Sequence, residues 1–167
     1  ALVKTKMSFL KFIKTVMPAF VVCISSANFG AAFNTIFDDL FSVNVDTSTA
    51  NLSVNLGSVF FQPACTLTFV FSSLFMATEY GVEITAVWVV MAILLSVVLV
   101  GTMPNIPGAS VTVITLLYAQ LGLPAETVSL MIAINAILQF FTTGIDVWCL
   151  QSEILCIDCS QKTKDKV

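Results

Sequence analysis

The 167-residue chain contains no histidine, and between Lys14 and Lys162 it has no lysine or arginine either. Without histidine, Ser-His-Asp, Cys-His and histidine-metal arrangements are all excluded. Neither a phosphate-cradling glycine loop nor a dinucleotide fingerprint is present, so no enzyme is expected. The missing cations carry a second implication. A soluble domain of this size spreads cations over its surface, so so long a cation-free interior points to lipid as the solvent. Charge of either sign is scarce, at 10% of residues, against 57% hydrophobic residues and a mean hydropathy of +0.98. That balance belongs to a membrane protein. The basic residues sit in two short termini and leave no electrostatic footprint for nucleic acid, which is set aside as a partner. No basic n-region, short apolar core and small-residue cleavage site occur in that order, so no signal peptide is expected.

Cysteine is also sparse, and its count of five is odd. Cys149, Cys156 and Cys159 fall toward an end read as cytoplasmic, where thiols stay reduced, so no disulfide framework is expected. Cys156-Ile-Asp-Cys159 has the spacing of a redox or metal clip. One such pair without histidine reads as packed or solvent-side thiols, and no metal site is assigned.

What is present is a series of apolar segments of unequal length. A straight crossing needs about 20 apolar residues, and shorter arms that turn at polar residues suggest re-entrant hairpins. The expected fold is therefore an all-α membrane protein: a single membrane unit, 1–167, with two re-entrant helical hairpins and two transmembrane helices, one of them broken. Segment 8–41 breaks at Ser25-Ser26-Ala27-Asn28 and is read as a hairpin opening from the cytoplasm. Segment 50–78 is a crossing interrupted near Gln62-Pro63, where proline removes a backbone donor and clashes with the preceding turn. Segment 84–122 is uncharged, yet Gly101 to Ser110 in its centre holds two prolines and two glycines. No continuous helix accepts that run, so it is read as a second hairpin, from outside. Segment 126–159 is an amphipathic transmembrane helix and 160–167 a cytoplasmic tail. Lysines at both termini place both in the cytoplasm of a multi-pass cell-membrane protein with an even number of crossings.

The last helix carries a polar stripe at Asn135, Gln139, Thr142, Asp146, Cys149 and Glu153, spaced four, three, four, three and four. At about 1.5 Å per residue it covers roughly 27 Å, nearly the hydrocarbon thickness. Such a face must meet protein, water or a solute. Interhelical hydrogen bonding is the plainer account. Asp146 favours a solute or ion path, since an ionisable residue at membrane depth is costly and no cation in the interior pairs with it. It is expected to be protonated, cation-bound or facing water. Ser25, Ser26 and Asn28 could offer hydroxyls, an amide and backbone N–H groups to a solute carboxylate. A turn built from small polar residues explains them equally well. The proline-glycine run needs to be buried in protein or to line a cavity, since lipid would not tolerate its backbone.

Leu121-Gly122-Leu123-Pro124-Ala125-Glu126, Ile134-Asn135-Ala136-Ile137-Leu138 and Ile106-Pro107-Gly108-Ala109 resemble the C-terminal core of the dicarboxylate/amino acid:cation symporters, the glutamate-transporter family. The resemblance covers nearly the whole chain. Ala19-Phe20-Val21 through Ser25-Ser26-Ala27 resembles the family's first hairpin, and the proline-glycine run resembles the second, its extracellular gate. The resemblance thus implies a gate at Pro104, Asn105, Pro107, Gly108 and Ala109. It also implies a solute site at Ser25, Ser26, Asn28, Gln139, Thr142, Thr143 and Asp146. It implies most of a mobile transport domain, carried past a trimeric scaffold in an elevator movement, with the scaffold helices missing from this chain.

Departures from the family are equally informative. Phe61-Gln62-Pro63-Ala64-Cys65 stands where the family has Asn-Met-Asp-Gly-Thr. Gln139 replaces an aspartate that meets the substrate amino group, and Thr142 an arginine that meets its side-chain carboxylate. Asp146 replaces an asparagine, and Leu150 a sodium-binding aspartate. Loss of the arginine removes the bidentate partner of a second carboxylate and argues against an acidic amino acid. Loss of two carboxylates weakens a cage for a hard cation. The expected function is a secondary active transporter core moving a small polar solute, an amino acid or carboxylate, with Na+ or H+ as coupling ion through Asp146. No other cofactor is expected. The alternative is a non-transporting membrane protein, either a degenerate relative or a fragment needing a partner chain.

Overall fold

The computed structural model describes residues 7–103 and 108–164. Within them the chain is all α: seven α-helices and one 3-10 turn. In order these are α1 (Phe9–Ser26), the 3-10 turn Phe29–Ala32, α2 (Phe33–Ser42), α3 (Thr47–Phe60), α4 (Pro63–Glu79), α5 (Ala86–Gly101), α6 (Ala109–Gln120) and α7 (Ala125–Lys164).

Local chemistry sets most of the boundaries. The Asp46 carboxylate accepts the Ser48 and Thr49 N–H groups at 3.0 and 3.1 Å and starts α3, occupying donors that would otherwise lack an intrahelical partner. The Thr85 hydroxyl does the same for Trp88 at the start of α5. Pro63 opens α4, where its absent N–H costs nothing, and so splits α3 from α4 at Phe61-Gln62. α1 ends at Ala27 in the left-handed region, φ 48°, and the Asn28 side chain accepts Gly30 N–H at 2.9 Å to start the 3-10 turn. Pro18 lies inside α1, and the Ala19 N–H beyond it donates at 3.2 Å to the buried Asp39 carboxylate of α2, which also accepts from Gln151 Nε2 of α7 at 3.1 Å.

Three stretches are long and apolar enough to cross a membrane: Phe9–Ser26, Thr47–Glu79 with its central break, and Ala125–Thr163. They support a multi-pass membrane protein. The 18-residue α1 exceeds what the sequence suggests for that arm, because the helix runs through Pro18 without ending there. α7 is about 60 Å long at 1.5 Å per residue, and its helix continues through the segment read as a tail.

Two apolar cores are strung along α7. The first gathers α1, α2 and α3 around Val147, Leu150, Ile154 and Leu155 of α7's C-terminal half. The second gathers α4, α5 and α6, with Met131 from the N-terminal half. Gly144 lets α1 approach α7: a Cβ there would meet Ile24 Cγ1 at 2.7 Å and Phe20 Cε2 at 3.1 Å. Beside it, the Phe20 and Trp148 rings meet edge to face at 5.2 Å. Trp88 Nε1 donates to Leu121 O at 3.0 Å and pins the start of α5 to the end of α6.

Candidate functional site

The seam between the two cores is polar. Around the middle of α7 lies a cavity lined by Asn135, Gln139, Thr142, Thr143 and Asp146 of that helix. Its other walls are Ala27, Asn28 and Phe29 from the turn after α1, Gln62 and Cys65 from the α3–α4 break, and Met103 and Ser110 from the ends of α5 and α6. Its volume of about 30 Å³ admits water, which needs about 10–15 Å³.

Among the described residues of the lining Asp146 is the one charged side chain, and it is 3% exposed. Its carboxylate accepts the Ala64 N–H at 2.7 Å on Oδ1 and the Cys65 N–H at 3.3 Å on Oδ2. These are the first free donors of α4, which Gln62 does not cap with its own side chain. The sequence offered Asp146 no cationic side chain, and the structure gives it the positive end of a half-helix instead. The break makes this possible, since an uninterrupted α3–α4 helix would have spent those N–H groups internally.

A second polar link crosses the cavity. Asn135 Nδ2 donates to Ser110 Oγ at 2.9 Å, and that hydroxyl lies 3.4 Å from Gln139 Oε1. Thr142 and Thr143 turn their hydroxyls back to Gln139 O, at 3.3 and 2.8 Å. That is the usual back-bonding of a helical threonine and leaves their oxygens as acceptors.

Of the solute-site residues expected from the sequence, Asn28, Gln139, Thr142, Thr143 and Asp146 come together at this cavity. Ser25 and Ser26 do not line it. Both are exposed, and both hydroxyls donate to Val22 O, at 2.9 and 2.8 Å. Of the expected gate, Pro104, Asn105 and Pro107 lie outside the described residues, while Gly108, at φ 86°, and Ala109 form the start of α6. Neither of these two is in the lining, although the next residue, Ser110, is.

Lining residues left off the sequence-derived site are Ala27, Phe29, Gln62, Cys65, Met103, Ser110 and Asn135. Asn135 shared the period of Gln139 and Asp146 and could have been included on that ground. Gln62 sat at the recognised break. Cys65, Met103 and Ser110 reach the cavity only through tertiary packing. At the far end of the stripe, Cys149 lies outside the lining and Glu153 is exposed.

Long apolar helices, one broken where a polar cavity forms, define a multi-pass membrane protein with a polar chamber among its helices. The chain belongs to the sodium:dicarboxylate symporter family, whose model matches residues 1–151. A comparison with curated proteins gives no match. Family and fold together are those of a secondary transporter of the dicarboxylate-symporter type, and because the family is one of transporters rather than catalysts, the chain is not an enzyme.

Proposed function

We propose that the chain is a divergent core of the family's transport domain, moving a small polar solute through the membrane by alternating access of an elevator kind. The observation that carries this is the convergence of five elements on one polar cavity: the turn after α1, the α3–α4 break, the end of α5, the start of α6 and the middle of α7. Discontinuous helices meeting between two packed bodies are how secondary transporters build a solute site at the midplane. In this reading α1 and α2 are a re-entrant hairpin from the cytoplasm, α5 and α6 a second one from outside, and both termini are cytoplasmic. A cavity with room only for water must open to admit an amino acid or carboxylate, and the family resemblance puts the gate at Pro104, Asn105, Pro107, Gly108 and Ala109.

Acidic amino acids fit poorly, because Thr142 and Gln139 offer no cation to a second carboxylate. Na+ or H+ remains the proposed coupling ion, with Asp146 as the group that meets it. Leu150 supports a reduced sodium site, since it is buried in the first apolar core and brings no oxygen. By the family resemblance the assembly is a homo-trimer completed by scaffold helices.

The second reading is a member of the family that no longer transports. It is favoured by one observation: the Asp146 carboxylate is already engaged by α4 and can serve as a structural cap. Reconstituting the natural protein in liposomes separates the two. Accumulation of amino acids or small carboxylates under an imposed Na+ or H+ gradient is the expected result. Folded, inserted protein that accumulates no solute under either gradient would establish the non-transporting reading.

A further inference from the structure

We infer that Asp39 of α2 and Gln151 of α7 form a proton-binding site, in which a protonated Asp39 closes a two-bond ring with the Gln151 amide and fastens the α1–α2 pair to α7. Neither side chain lines the polar cavity, and the inference stands whether or not the chain transports. Both residues are buried, Asp39 at 8% exposure and Gln151 at 0%. Two donors reach Asp39 and both end on the same oxygen: Ala19 N–H at 3.2 Å and Gln151 Nε2 at 3.1 Å, each to Oδ2. Among the described residues no donor meets Oδ1. On the other side of the amide, Gln151 Oε1 is buried and accepts from no described residue. An ionised carboxylate offers two equivalent oxygens and draws donors to both, whereas a neutral acid has one carbonyl oxygen and one O–H. The observed division is that of the acid. Oδ2 is the carbonyl oxygen, Oδ1 carries the proton, and Oε1 is the buried acceptor that needs it. Exchanging the amide's nitrogen and oxygen asks for the same proton, because it sets two oxygens 3.1 Å apart, a contact that only an O–H makes favourable.

The surrounding charges agree. An isolated buried carboxylate is costly, and no cation among the described residues pairs with this one. On the helices packed around it, Lys11 and Lys14 of α1, Asp38 of α2 and Glu153 of α7 are all exposed. Asp46 at the start of α3 is bonded to Asp158 of α7, which pairs with Lys162, and Asp146 is turned to α4. The thiols of Cys23, Cys149 and Cys156 make no hydrogen bond to Asp39. One oxygen, Oδ2, therefore ties three helices together, and the proton on the other completes the tie. Removing that proton leaves Oδ1 and Oε1 both without a donor, so proton binding and the seating of α1–α2 on α7 are one event.

The test uses the natural protein purified in detergent at neutral pH, with two variants. Asparagine is the permanent mimic of the neutral acid: its carbonyl can accept from Ala19 and Gln151 while its NH2 serves Oε1. Asp39→Asn should therefore unfold at or above the wild-type midpoint, and Asp39→Ala several degrees below both. Infrared absorption reads the proton itself. The wild-type spectrum minus that of Asp39→Asn should contain the C=O stretch of a carboxylic acid, and the subtraction removes any contribution from Asp146. A difference spectrum holding the bands of an ionised carboxylate instead overturns the inference and assigns Oε1 to a buried water. An Asp39→Asn protein that unfolds well below wild type, or does not fold, overturns it too, since a neutral isostere would then fail to replace the native group.

Discussion

Asp146 joins the two halves of the molecule through two hydrogen bonds. It was legible in the sequence as an ionisable residue at membrane depth, but its partner was not, because a helix N-terminus leaves no charged residue to read. Two demands fall on this side chain: to hold α4 in place and, in the proposed mechanism, to meet solute or ion. Substitution separates them. Asp146→Ala strands the Ala64 and Cys65 N–H groups, each at a cost of about 1–3 kcal/mol if left buried and unpaired. Asp146→Asn keeps one carbonyl oxygen for the shorter bond from Ala64. Asn also turns a donor toward the Cys65 N–H, so thermal unfolding in detergent should rank wild type above Asn and Asn above Ala. Equal midpoints for all three would mean that the bonds contribute nothing. In uptake, Asp146→Asn should lose most activity despite folding, and activity unchanged across a pH series would remove Asp146 from the mechanism.

At the scale of the elements, α1 and α7 pack closely at Gly144. Membrane helices gain no hydrophobic driving force from one another, so a small residue that lets two backbones approach contributes through packing. Gly144→Ala places a Cβ 2.7 Å from Ile24 Cγ1, an atom near the backbone that cannot swing clear. The expected cost is about 1–3 kcal/mol of overpacking, partly relieved by Ile24→Ala in the same chain. At Gly57 the clash would be with Leu150 Cδ1, the mobile end of a side chain, so Gly57→Ala should cost less. Reversal of that order in unfolding measurements would contradict the packing described. The same elements show what the sequence could convey. The Gln62-Pro63 break was legible because proline's missing donor is a local property, and the shared face of Asn135, Gln139, Thr142 and Asp146 because helical period is too. The length of α1 was not: the helix runs on through Pro18, and the next N–H is taken by Asp39 of α2, a tertiary partner that local sequence does not show. Nor was the arrival of Cys65, Met103 and Ser110 at the cavity, which depends on how the two cores dock. The position of Ser25 and Ser26 off the cavity lining was not legible either: their composition fits a solute contact and a turn equally, and their hydroxyls donate to Val22 O.

For the whole molecule, the order of the ends constrains how it sits in a bilayer. The α2–α3 linker and the end of α7 share one end of the protein: Asp46 N–H donates to Asp158 Oδ1 at 3.0 Å, Lys162 bridges Asn44 O and Asp158, and the Thr49 hydroxyl donates to Gln161 at 2.7 Å. The lysine-rich C-terminus should hold that end in the cytoplasm. The α3–α4 pair then carries the chain across, so the α4–α5 linker belongs outside. Thr47 and Glu83 are exposed on either side of that pair and serve as reporters. In a background without the five native cysteines, Glu83→Cys should react with an impermeant maleimide on intact cells, and Thr47→Cys only after permeabilisation. If α1 were a full crossing rather than one arm of a hairpin, a cysteine just before it, at Met7, would label from the side opposite to Thr47→Cys. Labelling of both from the cytoplasm is the outcome that a re-entrant α1–α2 hairpin requires, and labelling from opposite sides would overturn it.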